Sequence, residues 1–127
     1  MTAHPCWKIV LIDDEEDIRE VMAIALQDAG FTVAAAADGE SGLQLCEDSR
    51  PQIVITDIRM PGIDGLQVLQ TLKRKYPDIE VIVATAFGEM DLAIRALQLD
   101  ASDFITKPVS YTHLRAHETS LPISYAV

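Results

Sequence analysis

The chain has 127 residues, of which 49% are hydrophobic and 24% are charged, and its formal net charge is −10. This length and composition are typical of one globular domain and exclude a disordered chain. The acidic balance argues against direct binding to nucleic acid, which requires a basic face on the protein.

The first elements predicted along the chain are a strand and an amphipathic helix. KIVLID (8–13) is a continuous apolar run, typical of a strand covered on both faces of a parallel sheet. EEDIREVMAIALQDAG follows with apolar residues at helical spacing, acids in its first turn and Gly30 at its end. We expect one face of this helix to be buried, formed by Ile18, Val21, Met22, Ala25 and Leu26.

The middle of the chain repeats this order twice. FTVAAA (31–36) is a weaker strand candidate, and ESGLQLCEDS is a short helix after a turn at Asp38. IVITD (53–57) is the next buried strand, and DGLQVLQTLKRKY is the next helix. The spacing predicts that this helix turns three apolar residues inward, Val68, Leu69 and Leu72.

The last predicted elements are EVIVAT (80–85), the helix EMDLAIRALQLDA and the short strand DFIT (103–106). We expect that helix to bury some of the residues Ala93, Ile94, Ala96 and Leu97. Four β-α repeats followed by a fifth strand predict an α/β three-layer sandwich with right-handed crossovers.

Polar side chains end four of these strands. Asp13 and Asp14 end the first, Asp57 the third, Thr85 the fourth, and Lys107 the fifth. Each alone has an ordinary structural explanation, but in open α/β sheets sites form where the carboxyl ends of strands meet. Three clustered acids repel one another and need a cation, and hard oxygen ligands favour Mg²⁺. The set predicts phosphoryl transfer to a carboxylate, with the hydroxyl and the ammonium contacting phosphoryl oxygens.

Four stretches, LIDDEE, ITDIRMPGIDG, VATAFG and DFITKP, occur in an order and spacing that resemble a response-regulator receiver domain. The resemblance implies a flavodoxin-like fold whose five parallel strands lie in the order 2-1-3-4-5. We place the receiver domain at residues 6–108.

The resemblance also implies an acceptor and a metal site. Asp57 would accept a phosphoryl group from a histidine kinase or a phosphotransfer domain. Asp14 and Asp57 would bind Mg²⁺ together with the backbone carbonyl of Arg59, and Asp13 would assist through water.

Further residues would complete a switch. Lys107 would pair with the phosphoryl group and precede a cis peptide bond to Pro108. Thr85 would move toward the phosphate, and the Phe104 ring would turn inward behind it. The domain would then be a phosphoacceptor switch, with self-catalysed transfer and slow autodephosphorylation, and not an enzyme.

Beyond Pro108 the family pattern fails. The family requires a fifth helix with an apolar stripe, whereas residues 109–127 read VSYTHLRAHETSLPISYAV. This stretch resembles translated adapter or vector sequence, which predicts a non-native tail with the fifth helix degraded or absent. The chain would be a fragment of a longer regulator or hybrid kinase whose output domain is lost from the C-terminus.

Location is predicted from what the sequence lacks. The start, MTAHPCW, has no apolar signal core, and no run reaches the roughly 18 apolar residues of a membrane span. Cys6 and Cys46 lie in no CxxC or Cys/His cluster, which argues against zinc and favours free thiols. We expect a cytoplasmic protein with no membrane partner.

Two other functions remain open. A receiver-like binding module could keep the fold and signal without phosphorylation, but it would not need the five polar residues at the strand ends. A dehalogenase-like phosphatase would also form an aspartyl phosphate, but it places its nucleophile in a DxD motif on the first strand. DDEED after the first strand lacks that form.

Overall fold

The computed structural model describes residues 7–86 and 88–107, along which five strands and four helices alternate. The strands are β1 (Lys8–Ile12), β2 (Thr32–Ala36), β3 (Ile53–Asp57), β4 (Glu80–Thr85) and β5 (Asp103–Thr106). The helices are α1 (Glu16–Asp28), α2 (Gly39–Ser49), α3 (Gly65–Lys75) and α4 (Met90–Gln98). None of these four helices is long and apolar enough to cross a membrane. The predictions about the tail and about the peptide bond to Pro108 lie outside the described residues.

The strands form one parallel sheet in the order β2-β1-β3-β4-β5, which confirms the predicted topology. The ladder pairs Ile12 with Thr56 and Asp57 with Ala84, so β1, β3 and β4 end at the same edge. Thr85 pairs with Thr106, and Lys107 is the next residue after β5. The register therefore brings the predicted polar residues to one edge of the sheet.

The sheet separates two apolar clusters. Because successive side chains of a strand point to opposite faces, β1 sends Val10 and Ile12 to a large core and Ile9 and Leu11 to a small one. The large core lies on the side of α2, α3 and α4 and includes the fully buried residues Val68, Leu69 and Leu72, as predicted. The small core packs against half-buried residues of α1, among them Met22 and Leu26.

The predicted buried face of α1 is partly wrong. No residue of this helix is buried, and Val21, which was expected inside, is 38% exposed. Ile18, Met22 and Leu26 are half-buried, whereas Ala25 is exposed. Ala23 is half-buried as well and packs against the small core, so the contact face of α1 is rotated relative to the predicted face. In α4, the prediction that some of four apolar residues are buried is confirmed, because Ala93 and Ala96 are buried while Ile94 and Leu97 are 50% and 40% exposed.

The start of α3 is fixed against the end of β3. Asp64 is the N-cap and forms a reciprocal capping box, in which its carboxylate accepts from the Gln67 amide and the Gln67 side chain accepts from the Asp64 amide. The first helical residue, Gly65, has no room for a side chain, because a Cβ there would lie 2.1 Å from the carbonyl oxygen of Asp57. Glycine thus lets α3 begin in direct contact with the backbone of Asp57.

Candidate functional site

Most of the polar side chains buried in the described part of the chain lie at one edge of the sheet. Five buried residues are polar or charged, namely Asp13, Thr56, Asp57, Thr85 and Lys107. Four of these five were predicted from the strand ends. Since an isolated buried charge is costly, a cluster of three buried ionisable groups indicates a site whose charges compensate one another.

The ammonium group of Lys107 is the centre of this cluster. Its Nζ lies 2.9 Å from Oδ2 of Asp57, 3.2 Å from Oδ2 of Asp13 and 2.6 Å from Oε1 of Glu15. The backbone amide of Lys107 donates to the carbonyl oxygen of Thr85, at 2.8 Å, which fixes the lysine at the end of β4. The lysine therefore joins the carboxyl ends of β1, β3 and β5.

Four carboxylates gather around the same point. One oxygen from each of Asp13, Asp14, Glu15 and Asp57 lies within 4.8 Å of the others. Asp13 and Asp57 are buried, whereas Asp14 and Glu15 face solvent. The donors are all carboxylate oxygens, which hard cations such as Mg²⁺ prefer over softer metals. The cluster could therefore hold a magnesium ion, with the two exposed acids at its open side.

The surroundings of Asp57 and Lys107 raise the pKa of both groups. Burial raises the pKa of Asp57 from 3.8 to about 6, Lys107 opposes this, and the charges of Asp13 and Asp14 add to it. Burial alone would lower the pKa of Lys107, but its hydrogen bonds to Glu15 and Asp57 outweigh burial, so that pKa is raised. At neutral pH Asp57 is thus ionised and Lys107 is charged.

Asp57 has one engaged and one available oxygen. Its Oδ2 accepts from Lys107, while no group in residues 7–86 and 88–107 donates a hydrogen bond to its Oδ1. The carboxylate is at the last position of β3, and Gly65 packs against its backbone. The strand and the start of α3 thus hold this carboxylate at a fixed place.

The two predicted switch residues, Thr85 and Phe104, lie on β4 and β5. Thr85 is the last residue of β4 and is 1% exposed. Phe104 lies in β5 opposite Val83, and its ring is half-buried against the large core. Thr85 thus ends β4 at the edge where Asp57 lies, whereas Phe104 lies on the neighbouring strand, two ladder positions before that edge.

Arg59 was predicted to contribute its backbone carbonyl to the metal site. Its side chain extends into solvent and forms an ion pair with Glu89, the N-cap residue of α4. This pair links the loop after β3 to the loop after β4. The predicted role of the carbonyl stays a prediction.

Glu15 is the site residue that the sequence reasoning missed. In the sequence it reads as one more acid before a helix, where the dipole favours negative charge. The structure turns its side chain to Lys107, which lies 92 residues further along the chain. Its position directly after the Asp13-Asp14 pair was the signal that could have identified it.

The fold and the site together define a class, a flavodoxin-like domain with an acid-lysine pocket at the carboxyl edge of its sheet. The chain belongs to the response regulator receiver domain family, whose sequence profile matches residues 9–118. It is therefore a receiver domain of the two-component signalling type.

Individual relatives agree with this assignment. The chain is 40% identical over 114 residues to a probable transcriptional regulator, ycf27, of Cyanophora paradoxa, covering 90% of this chain and 47% of that protein. It thus spans less than half the length of that regulator.

Two solved structures show the same fold. The receiver domain of NtrX from Brucella abortus is 36% identical, with a TM-score of 0.76 over 88% of this chain and 99% of that one. Response regulator TrrA from Thermotoga maritima, solved in complex with Mg²⁺ and BeF, is 29% identical, with a TM-score of 0.73 over 91% and 99% of the two chains.

Proposed function

We propose that this receiver accepts a phosphoryl group on Asp57 from the phosphohistidine of a histidine kinase or a phosphotransfer domain. The observation that carries the proposal is the environment of Asp57. It is buried among acids, it is held by Lys107 through one oxygen, and its other oxygen is available. With a pKa of about 6 it is ionised at neutral pH and can act as a nucleophile.

In the proposed reaction, an oxygen of Asp57 forms a bond to phosphorus as the bond from phosphorus to the donor imidazole breaks. Lys107 already donates to Asp57 Oδ2, so its ammonium is placed to pair with the charge of the arriving phosphoryl group. Thr85, next to it on the sheet edge, supplies a hydroxyl for another phosphoryl oxygen.

We propose that Mg²⁺ is the cofactor and that Asp14 and Asp57 hold it, with the Arg59 carbonyl as a further ligand and Asp13 acting through water. When bound, Mg²⁺ neutralises charge on the transferring phosphoryl group. Asp14 is exposed at the open side of the cluster, which suits a ligand to an ion that keeps several waters.

The expected output is a change at the Thr85–Phe104 edge, not turnover of a substrate. A shift of Thr85 toward the phosphoryl group would vacate space beside β5, and Phe104 is half-buried next to it. We propose that an output domain in a longer protein reads this change, a proposal supported by similarity to a probable transcriptional regulator, ycf27, of which this chain covers 47%.

The test is incubation with acetyl phosphate and Mg²⁺, followed by intact mass spectrometry. We expect one phosphoryl adduct on the unmodified protein and none on Asp57→Asn. Asp64→Asn is the matched control, because Asp64 caps α3 in the loop after Asp57 and Asn keeps the capping acceptor. An equal adduct on Asp57→Asn would contradict the acceptor assignment. No adduct on any variant would favour a binding module that works without phosphorylation.

A further inference from the structure

The ammonium group of Lys107 has no spare hydrogen-bond donor. A lysine ammonium carries three N–H groups, and that of Lys107 faces three carboxylates, those of Asp57, Asp13 and Glu15. A phosphoryl group on Asp57 would bring three further acceptor oxygens to the same space. For Lys107 to donate to one of them, a present contact must be given up.

Glu15 is the partner whose release costs least. The Asp13 side chain is 2% exposed, so a broken contact would leave a buried carboxylate without its counter-ion. The Glu15 side chain is 58% exposed, so water can solvate its carboxylate once the lysine leaves.

The local structure of Glu15 is arranged for the lysine and not for its own helix. Glu15 is the N-cap residue of α1, yet its side chain accepts no hydrogen bond from the helix amides. Its backbone amide donates to Oδ1 of Asp13, at 2.9 Å, which anchors the residue beside the pocket. The carboxylate then reaches Lys107, in the shortest of the three lysine contacts.

We propose that Glu15 is a positioning residue that holds Lys107 while Asp57 is unphosphorylated and releases it when a phosphoryl group arrives. This inference rests on the proposed function, since it concerns the same pocket. Glu15 and the phosphoryl group compete for one N–H of Lys107, so Glu15 opposes phosphorylation. Removing its charge should favour the phosphorylated state by about 2- to 5-fold, the range that a half-exposed ion pair supports.

The experiment compares Glu15→Gln and Glu15→Ala with the unmodified protein, using beryllofluoride with Mg²⁺ as a phosphoryl mimic. Glu16→Gln is the matched control, because Glu16 is the exposed next residue and the change in net charge is the same. NMR of the Lys107 side chain reports its contacts, and titration gives the half-saturating beryllofluoride concentration.

We expect the Lys107 side-chain resonances of the Glu15 variants to differ from those of the unmodified protein in the free state and to coincide with them in the beryllofluoride-bound state. The half-saturating concentration should fall about 2- to 5-fold in Glu15→Gln and at least as much in Glu15→Ala. Glu16→Gln should change neither quantity.

Three results would overturn the inference while leaving phosphorylation at Asp57 intact. One is a difference in the Lys107 side-chain resonances, between the Glu15 variants and the unmodified protein, that persists in the beryllofluoride-bound state or is missing in the free state. Another is weaker or unchanged beryllofluoride binding in the Glu15 variants. The third is a loss of Mg²⁺ affinity of about tenfold or more, which would make Glu15 a metal ligand. An unmodified protein that takes up neither beryllofluoride nor a phosphoryl group would end both proposals.

Discussion

Replacing Asp57 with Asn should stabilise the folded domain at neutral pH. The pKa of this carboxyl is raised from 3.8 to about 6, chiefly by burial, so the folded state holds its proton more tightly than the unfolded chain does. Ionisation of Asp57 therefore lowers the free energy of unfolding as the pH rises from 3.8 to about 6. Above about pH 6, the ionised carboxylate lowers the free energy of unfolding by its full amount, a penalty of about 3 kcal/mol.

Asparagine keeps the size of the side chain but removes the charge, so it should recover most of this penalty. We expect a gain of about 2–3 kcal/mol in the free energy of unfolding near pH 7.5 and little gain near pH 4. Urea unfolding followed by circular dichroism, in buffer with EDTA, measures the difference at each pH.

The same substitution at Asp38 is the matched control, because its titration is shifted in the opposite direction. Asp38 caps α2, and a hydrogen bond from the Ser41 backbone amide lowers the pKa of its carboxyl. Its charge stabilises the folded state above pH 3.8, and this contribution is lost as the pH falls further. Asp38→Asn should therefore give no gain at pH 7.5. Our reasoning would be refuted if Asp57→Asn were no more stable than Asp38→Asn, or if its gain were equal at both pH values.

Three further predictions concern the frame around the site. Gly42→Ala should destabilise the domain by about 1–2 kcal/mol in urea unfolding despite its better helix propensity, because a Cβ would lie 2.2 Å from Cδ1 of Ile12. Adding Ile12→Val should partly restore stability. If the destabilisations caused by the two substitutions simply added, that result would contradict the clash. Burial raises the pKa of the Cys46 thiol to about 11, so in a Cys6→Ser variant a thiol reagent near pH 8 should label Cys46 only after unfolding. Rapid labelling of that variant in its native state would contradict the burial of Cys46. Asp64→Ala should lower the free energy of unfolding by about 0.5–2 kcal/mol, because it removes the capping box. Asp78→Ala, at an exposed residue, should change it by no more than about 0.5 kcal/mol. Equal losses of stability in the two variants would argue against the cap.

Strand positions could be predicted because their signals are local, whereas the strand order was implied by the resemblance to the receiver family. KIVLID and EVIVAT are continuous apolar runs, and the structure places β1 and β4 there. The buried residues of α3 were also predictable, since Leu69 and Leu72 belong to a clear apolar stripe. The buried face of α1 was predicted less accurately, because periodicity does not encode how the helix is rotated where it lies on β1 and β2.

The site was predictable only as far as topology determines it. Parallel strands end at one edge, so Asp13, Asp57 and Lys107 could be brought together by reasoning alone. The contact of Glu15 with Lys107 and that of Arg59 with Glu89 depend on rotamers and loop paths. Such contacts between residues far apart in sequence leave no periodic or compositional signal.

The ion pairs of Lys107 also constrain when the pocket can exist during synthesis. The lysine lies 94 residues after Asp13 and 50 after Asp57, and it follows the last described strand. A ribosome-bound chain that has exposed β1 and β3 but not β5 has the Asp57 carboxylate and lacks the lysine that pairs with it. In such a chain the four clustered carboxylates repel one another without the lysine that compensates part of their charge. The charge-compensated pocket therefore forms only when β5 completes the sheet, and the repulsion among the acids is unrelieved in any shorter chain.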